Sequence, residues 1–199
     1  MTPTPMNSLE SAITQRNIES AIAALEQNPL QARTETLGTE TLGTAAGKGI
    51  SMLMLALYYE QVEVAHAIRK YLPKITFFEA ASIGEIETVR AEVERDPARV
   101  NAFSPDGFPV LGLAIFFRQP ELAQYLIEHG ADVNIRSANA ARLAPVHAAC
   151  ARQDLTSLRL LLKHGADPKM PQEGGFTPLD SAKAAGNLEM QQVLLDAGA

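Results

Sequence analysis

The tetrapeptide Ala144-Pro145-Val146-His147 returns, 33 residues later, as Thr177-Pro178-Leu179-Asp180. Between them stands His164-Gly165-Ala166-Asp167. It is anticipated by His129-Gly130-Ala131-Asp132 and echoed 33 residues on by Ala197-Gly198-Ala199. A fixed period of this length means a chain built from repeated units, none of which can bury its apolar face alone. No other property of the sequence narrows the fold as far.

In register, repeat starts fall near Asn7, Ser51, Ile75, Pro109, Ala144 and Thr177, with spacings of 44, 24, 34, 35 and 33. Each start is followed by two short apolar stretches of helical period. In the fifth copy the spacing predicts a first helix from Pro145 to about Arg152. A second carries Leu155, Leu158, Leu161 and Leu162 on one face. Gly165 supplies the conformation that ends it. In the last copy Thr177 is a helix cap, Pro178 a first-turn proline and Asp180 a carboxylate near the positive helix end. The first copy is better hidden. Ala12 to Pro29 aligns without gaps on Ala80 to Pro97 at an offset of 68. Asn7 with Glu10 reads as a capping-box start.

Two irregularities interrupt the period. Residues 31–48 form a loop insertion in which Thr34-Glu35-Thr36-Leu37-Gly38 recurs at once as Thr39-Glu40-Thr41-Leu42-Gly43. Slippage in a tolerant surface loop is the expected origin, with a docking or modification site as the alternative. Between the second and third copies only Leu72-Pro73-Lys74 separates the helices, which leaves no room for a connecting hairpin.

Helix-turn-helix units of this length, with Pro-Val-His, Thr-Pro-Leu and His-Gly-Ala-Asp at these positions, resemble ankyrin repeats. The ankyrin signature T-P-L-H-x-A is matched by Ala144-Pro145-Val146-His147-Ala148-Ala149 and by Thr177-Pro178-Leu179-Asp180-Ser181-Ala182. The resemblance is tightest over 101–199 and looser before, and it is most similar to ankyrin proteins found in bacteria. There are departures. Asp180 and Gly112 stand where the signature histidine would be, Ile75 and Pro109 replace the capping threonine, and Tyr71-Leu72 replaces the glycine end of the second copy. The resemblance implies a mainly α ankyrin-repeat solenoid of about six repeats, spanning 1–199 as a single domain with outer copies as caps. Each repeat would have a short β-hairpin or loop finger, an inner helix lining a concave face and an outer helix behind it. It also implies protein binding through the finger tips and inner helices, and no catalysis.

Carried over copy by copy, the groove-facing positions are Thr14 and Gln15, Tyr58 and Tyr59, Ser82 and Ile83, Phe116 and Phe117, Ala151 and Arg152, and Ala184 and Ala185. Tyr58, Tyr59, Ile83, Phe116 and Phe117 would form an apolar stripe, and exposed aromatics of this kind serve as interface anchors. The alternative is that the rings turn inward and fill gaps between helices. The fingers offer Phe103, Asp106 and Phe108; Arg136, Asn139 and Arg142; and Met170, Gln172, Glu173 and Phe176. The two arginines suit an acidic rim on a partner.

The rest of the chain argues against other classes. The formal net charge of −6 disfavours nucleic acid, which usually meets a basic face. The single cysteine, Cys150, excludes an internal disulfide and suits a reducing compartment. A buried inert thiol is the expectation for it. No apolar run reaches membrane-spanning length, and the first residues lack the pattern of a secretory signal. A cytoplasmic chain, monomeric on its own, is expected. The four histidines, His66, His129, His147 and His164, lack metal-ligand spacing. Ala45-Ala46-Gly47-Lys48-Gly49 is not spaced as a phosphate loop. No cofactor, metal or catalytic set is expected. The expected function is a non-enzymatic interaction module. A regulator that inhibits or protects a specific enzyme would use the same surface. A small-molecule enzyme would need convergent titratable groups, and the groove supplies only Arg152 and two tyrosines.

Overall fold

A computed structural model of the chain describes residues 8–34 and 50–199. Among the described residues there are twelve α-helices, arranged as six consecutive pairs. The pairs are α1 (Ser8–Thr14) and α2 (Ile18–Gln27), α3 (Met52–Tyr58) and α4 (Val62–Lys70), and α5 (Phe77–Ile83) and α6 (Ile86–Arg95). They continue with α7 (Val110–Phe116) and α8 (Pro120–Glu128), α9 (Pro145–Ala151) and α10 (Leu155–Lys163), and α11 (Pro178–Ala184) and α12 (Leu188–Asp196). The protein is a mainly helical ankyrin-type repeat array. It divides into two compact units, Met1–Glu79 and Ala80–Ala199, with the boundary inside α5.

Within the first unit α1 packs on α3 and α2 on α4. Leu9, Ile13, Leu25, Met52, Leu53 and Ile68 are fully buried there. Within the second, α7 packs on α9, α9 on α11, and α8 on α10. Its largest buried side chains are Leu111, Ile115, Leu122, Leu126, Leu158 and Leu161. Each such side chain contributes about 1.5–3 kcal/mol by leaving water, and inner and outer rows share the same core.

The turn between paired helices is the most regular element. Beyond each inner helix one residue adopts positive φ: Arg16, Glu60, Gly84, Arg118, Gln153 and Gly186. The next residue opens the outer helix. Asn17, Asp154 and Asn187 cap it in the ordinary way, accepting from the backbone N–H of Ser20, Ser157 and Met190. Gln61 and Gln119 do something else. Their Nε2 groups donate to the carbonyls of Ile13 (2.7 Å) and Ser82 (3.1 Å), which belong to the preceding inner helix. Gly84 is required for two reasons. Its φ is +79°, and a Cβ there would lie 2.3 Å from Gln119 Oε1.

The offset of 68 recurs as structure. Helix α2 followed by the 3-10 turn Pro29–Arg33 matches α6 followed by Pro97–Asn101. Asn28 and Asp96 cap those turns, accepting from Leu30 and Ala98 N–H. Asn7 lies outside the described residues, as does the duplicated segment of the 31–48 insertion beyond Thr34.

The missing finger has a specific replacement. Helix α5 starts one residue later than expected, and Thr76 rather than Ile75 is its cap. Thr76 Oγ1 accepts from Glu79 N–H (3.2 Å), and Thr76 N–H donates to Glu79 Oε2 (2.7 Å). The other oxygen of the buried Glu79 accepts from the Ser51 hydroxyl, which also caps α3 by accepting from Met54 N–H. One carboxylate therefore ties the starts of two successive inner helices without a hairpin. Helix α4, lacking a glycine end, stops at Tyr71, and Arg69 Nη1 satisfies the Leu72 carbonyl at 2.8 Å.

The fingers are turns more than hairpins. Among the described residues the one isolated β-bridge pairs Phe103 with Pro109. The fingers are zipped to each other through the backbone instead. Ala138 N–H donates to the Gly107 carbonyl (2.8 Å), and Glu173 N–H to that of Ala141 (3.1 Å). Gly107 allows this close approach, since a Cβ there would sit 2.9 Å from the Asn139 nitrogen. Below them runs an asparagine ladder. Asn101 and Asn134 each donate to a helix-end carbonyl, Gly130 and Gly165, and accept from the N–H of Asp132 and Asp167.

Three substitutions test this account by chemical denaturation. Gly84→Ala is expected to lose roughly 1–2 kcal/mol from backbone strain alone. Gln153→Gly, at a φ of 51° with an exposed side chain, is expected to gain up to about 1 kcal/mol. Glu79→Ala should lose about 1–3 kcal/mol, because it strips a charged acceptor from the part-buried Ser51 hydroxyl and Thr76 N–H.

Candidate functional site

The inner helices end on the side chains that the sequence singles out. In the second unit α7 finishes with Phe116, and Phe117 is its C-cap. Both rings are half-buried. They meet edge to face, with centroids 5.2 Å apart and planes at 89°, the arrangement that ring quadrupoles favour. The guanidinium of Arg152, from the end of α9, lies over the Phe116 ring at 5.2 Å. Arg118 extends from the positive-φ turn, and its Nη2 donates to the Arg152 carbonyl at 2.9 Å. Two phenylalanines and two arginines thus form one cluster across neighbouring inner helices. Arg118 was not among the sequence-derived positions. The signal for it was present, a cation directly after an aromatic pair at the helix-ending turn.

The other positions divide. Ile83 is half-buried in the second unit, whereas Ser82 is fully buried and its carbonyl is occupied by Gln119. Ser82 is therefore not groove-facing. The late start of α5 tucks it beneath the turn. Ala151, Ala184 and Ala185 are exposed and leave the surface beyond Arg152 flat. In the first unit Tyr58 and Tyr59 are half-buried at the end of α3. Thr14 and Gln15 bond back to Ser11 of their own helix.

At the finger tips Phe103 is 41% and Phe176 42% exposed, more than a core ring tolerates. Phe108 and Arg136 are half-buried and Arg142 is exposed. Asn139, read from sequence as a contact residue, is a structural one. Its amide donates to the Asp106 carbonyl, and its Oδ1 accepts from Ser137 and Ala141. Asp106 itself bonds the Ser104 hydroxyl.

The titratable groups serve the scaffold. His147 Nδ1 accepts from Ala144 N–H at 3.0 Å, which places the ring proton on the buried Nε2. Burial pushes its pKa down. Contacts with the Met170 and Ala144 backbone offset part of this, and the charge of Arg136 adds to it. At the matching position of the last copy Asp180 takes over. It accepts from the Thr177 hydroxyl (2.6 Å) and N–H (2.9 Å), and these bonds hold its carboxyl below the ordinary value. His129 and His164 turn Nδ1 to the carbonyls of Tyr125 and Leu160 on their own helices. Burial pushes the Cys150 thiol up to about 12. Among the described residues no three His, Cys, Asp or Glu side chains are grouped to hold a metal ion. None of the described helices is long and apolar enough to cross a membrane. A cavity of about 350 Å³ lies between α2 and α4 in the outer row of the first unit, with Glu26, Glu63, His66 and Lys70 around it.

Comparison with known proteins agrees with this architecture. Residues 146–195 match the family model for ankyrin repeats in many copies, and residues 106–138 that for the single ankyrin repeat. The chain is 33% identical over 118 residues to cyclin-dependent kinase 4 inhibitor B of Rattus norvegicus, covering 58% of this chain and 86% of the relative. It is 33% identical over 115 residues to the E3 ubiquitin-protein ligase Ufd4 of Drosophila melanogaster. Over 117 residues it is 32% identical to the BCL-6 corepressor-like protein 1 of Homo sapiens. These last two matches cover 56% and 59% of this chain but only 4% and 6% of the relatives. The chain belongs to the ankyrin-repeat family. Ankyrin repeats are general protein–protein interaction modules, without catalytic machinery as a rule.

Two measurements check the reading of the buried groups. Cys150 should stay unreactive towards a disulfide reagent at pH 8 in the native protein and react fully once the chain is unfolded. The folded pKa of His147 lies below its unfolded value of about 6.5. Its contribution to stability is therefore complete above that value and is lost as pH falls from there towards the folded value. The pH dependence of unfolding should flatten in this window in His147→Gln.

Proposed function

We propose that the protein is a non-enzymatic interaction module that captures a partner protein on its inner-helix and finger surface. The observation that carries this is the Phe116–Phe117 pair, two large rings at an inner helix end that the fold leaves only half-buried. Ring area of this kind is unfavourable in water and makes strong anchors when a partner covers it. In the second unit Ile83 on an inner helix and Phe103, Phe108 and Phe176 on fingers extend the set, and in the first unit Tyr58 and Tyr59 form a pair of their own at the end of α3. Arg136, Arg142 and Arg152 add polar contacts. The titratable groups described above are engaged in capping and packing, which favours binding over chemistry.

One comparison favours a narrower second reading. The relative matched over 86% of its length is by name an inhibitor of a kinase. A chain of this kind that covers a specific enzyme would regulate it through the same surface. Adding the protein to a captured partner enzyme and measuring its rate separates a regulator from a simple tether.

Phe116→Ala with Phe117→Ala is expected to weaken partner capture at least tenfold, since central aromatic anchors each contribute about 2 kcal/mol or more. The thermal midpoint should stay within a few degrees of the parent. A midpoint far below it would mean that the rings are core, and the anchor assignment would fall.

A further inference from the structure

The second unit carries arginines beside its aromatic rings. Its outer helices and their turns expose Glu87, Glu94, Glu121, Glu128 and Glu189, interleaved with Arg90, Arg95, Arg159 and Lys163, of which Arg90 and Arg159 pair with Glu87 and Glu189. Its inner helix ends and fingers carry Arg118, Arg136, Arg142 and Arg152, in a chain whose formal net charge is −6. The acids on that same side are mostly engaged. Asp106 bonds Ser104 and Asp180 bonds Thr177, while Glu173 stands exposed at the third finger.

The local geometry sharpens this. Arg118 and Arg152 come from the ends of adjacent inner helices and are held near one another by the Arg118–Arg152 carbonyl bond. Among the described residues no carboxylate pairs with Arg118. The Phe116 ring supports the Arg152 guanidinium, which lowers the ordering cost when a ligand arrives. A carboxylate that arrives beside the exposed Arg118 gains charge-assisted, often bidentate hydrogen bonds from its guanidinium. The rings beside them accept an apolar side chain.

We infer that Phe116, Phe117, Arg118 and Arg152 form a receptor for an acidic protein segment that carries a large apolar residue next to its carboxylates. Arg136 and Arg142 on the neighbouring finger extend the field that steers it in. The inference rests on the inner-face binding proposed above and specifies the chemistry of the occupant. A nucleic acid is the less suitable polyanion, since it would extend past the four residues towards acidic outer helices.

The test is selection of a displayed random-peptide library on the intact protein. The enriched peptides are then titrated, as synthetic labelled probes, against the parent, Arg118→Glu, Arg152→Glu and the Phe116→Ala/Phe117→Ala double variant. The expected peptides pair Asp or Glu with Leu, Phe or Trp. Their affinity should fall by about tenfold or more on charge reversal and should weaken with added salt. Arg118 is exposed, so Arg118→Glu should keep the parent's thermal midpoint even if Arg152→Glu does not. Selection of uncharged or basic peptides, equal affinity for Arg118→Glu, or no enrichment of a peptide sensitive to it would overturn the inference. If peptides that ignore Arg118→Glu still require Phe116 and Phe117, the inner-face site stands and only the acidic occupant falls. If they ignore both, the inner-face reading falls too. A labelled single-stranded oligonucleotide is the final arm. Tighter binding than any peptide, lost in Arg118→Glu, would assign the cluster to nucleic acid instead.

Discussion

Every short helix leaves carbonyl groups at its C-terminal end with no partner inside the helix, and helices of seven to ten residues leave a large share of their backbone in that state. Satisfying those carbonyls is what joins one repeat to the next. Asn101 and Asn134 reach the carbonyls of Gly130 and Gly165. Gln61 and Gln119 reach those of Ile13 and Ser82. Arg118 reaches that of Arg152. In each case the donor stands in one copy and the acceptor in its neighbour. Only the bond from Gln61 to the Ile13 carbonyl is buried, where a backbone group without a partner loses about 1–3 kcal/mol; the more exposed contacts help to set register, and the apolar faces supply most of the driving force.

The same logic explains why the array tolerates irregular copies. A finger can be dropped if the two helix starts it would have joined are tied in another way. Glu79 does this with Ser51 and Thr76, and α5 shifts by one residue to bring it into place. The shift carries Ser82 out of the groove and under the turn. The capping position shows similar freedom. His147 and Asp180 solve one problem, an acceptor for the N–H of the residue three before, with different chemistry. Neutral imidazole suits the buried copy, and an ionised carboxylate suits the more exposed one.

His129, His147, His164, Asp180 and Cys150 serve the scaffold, and the proposed anchors lie where a copy departs from the repeat. The inner ends of α3 and α7 carry aromatic pairs, whereas those of α9 and α11 carry alanines and a single arginine. Phe116 and Phe117 are not surplus core. They pack edge to face on one another and serve as the platform for Arg152 while keeping part of their surface in water. An interaction family places its variation at such positions because loops and helix ends can change without disturbing the packed faces.

Much of this was legible in the sequence, and the reasons are local. The period, the helix pairs, the proline starts, the αL glycines and the offset of 68 are set by backbone chemistry within a few residues, so pattern alone reveals them. The aromatic pairs also follow from register. What sequence could not supply is whatever depends on a neighbour's position. Thr76 caps α5 through a local exchange with Glu79, whereas the second contact of Glu79, to Ser51 28 residues away, depends on the packed neighbour. Asn139 became a strut rather than a contact because Asp106 offers a carbonyl 33 residues earlier. Arg118 joined the aromatic cluster because the end of α9 lies within its reach. The repeat was determined by short-range periodicity. The composition of the proposed face was decided by which side chains the packed copies bring within reach of one another.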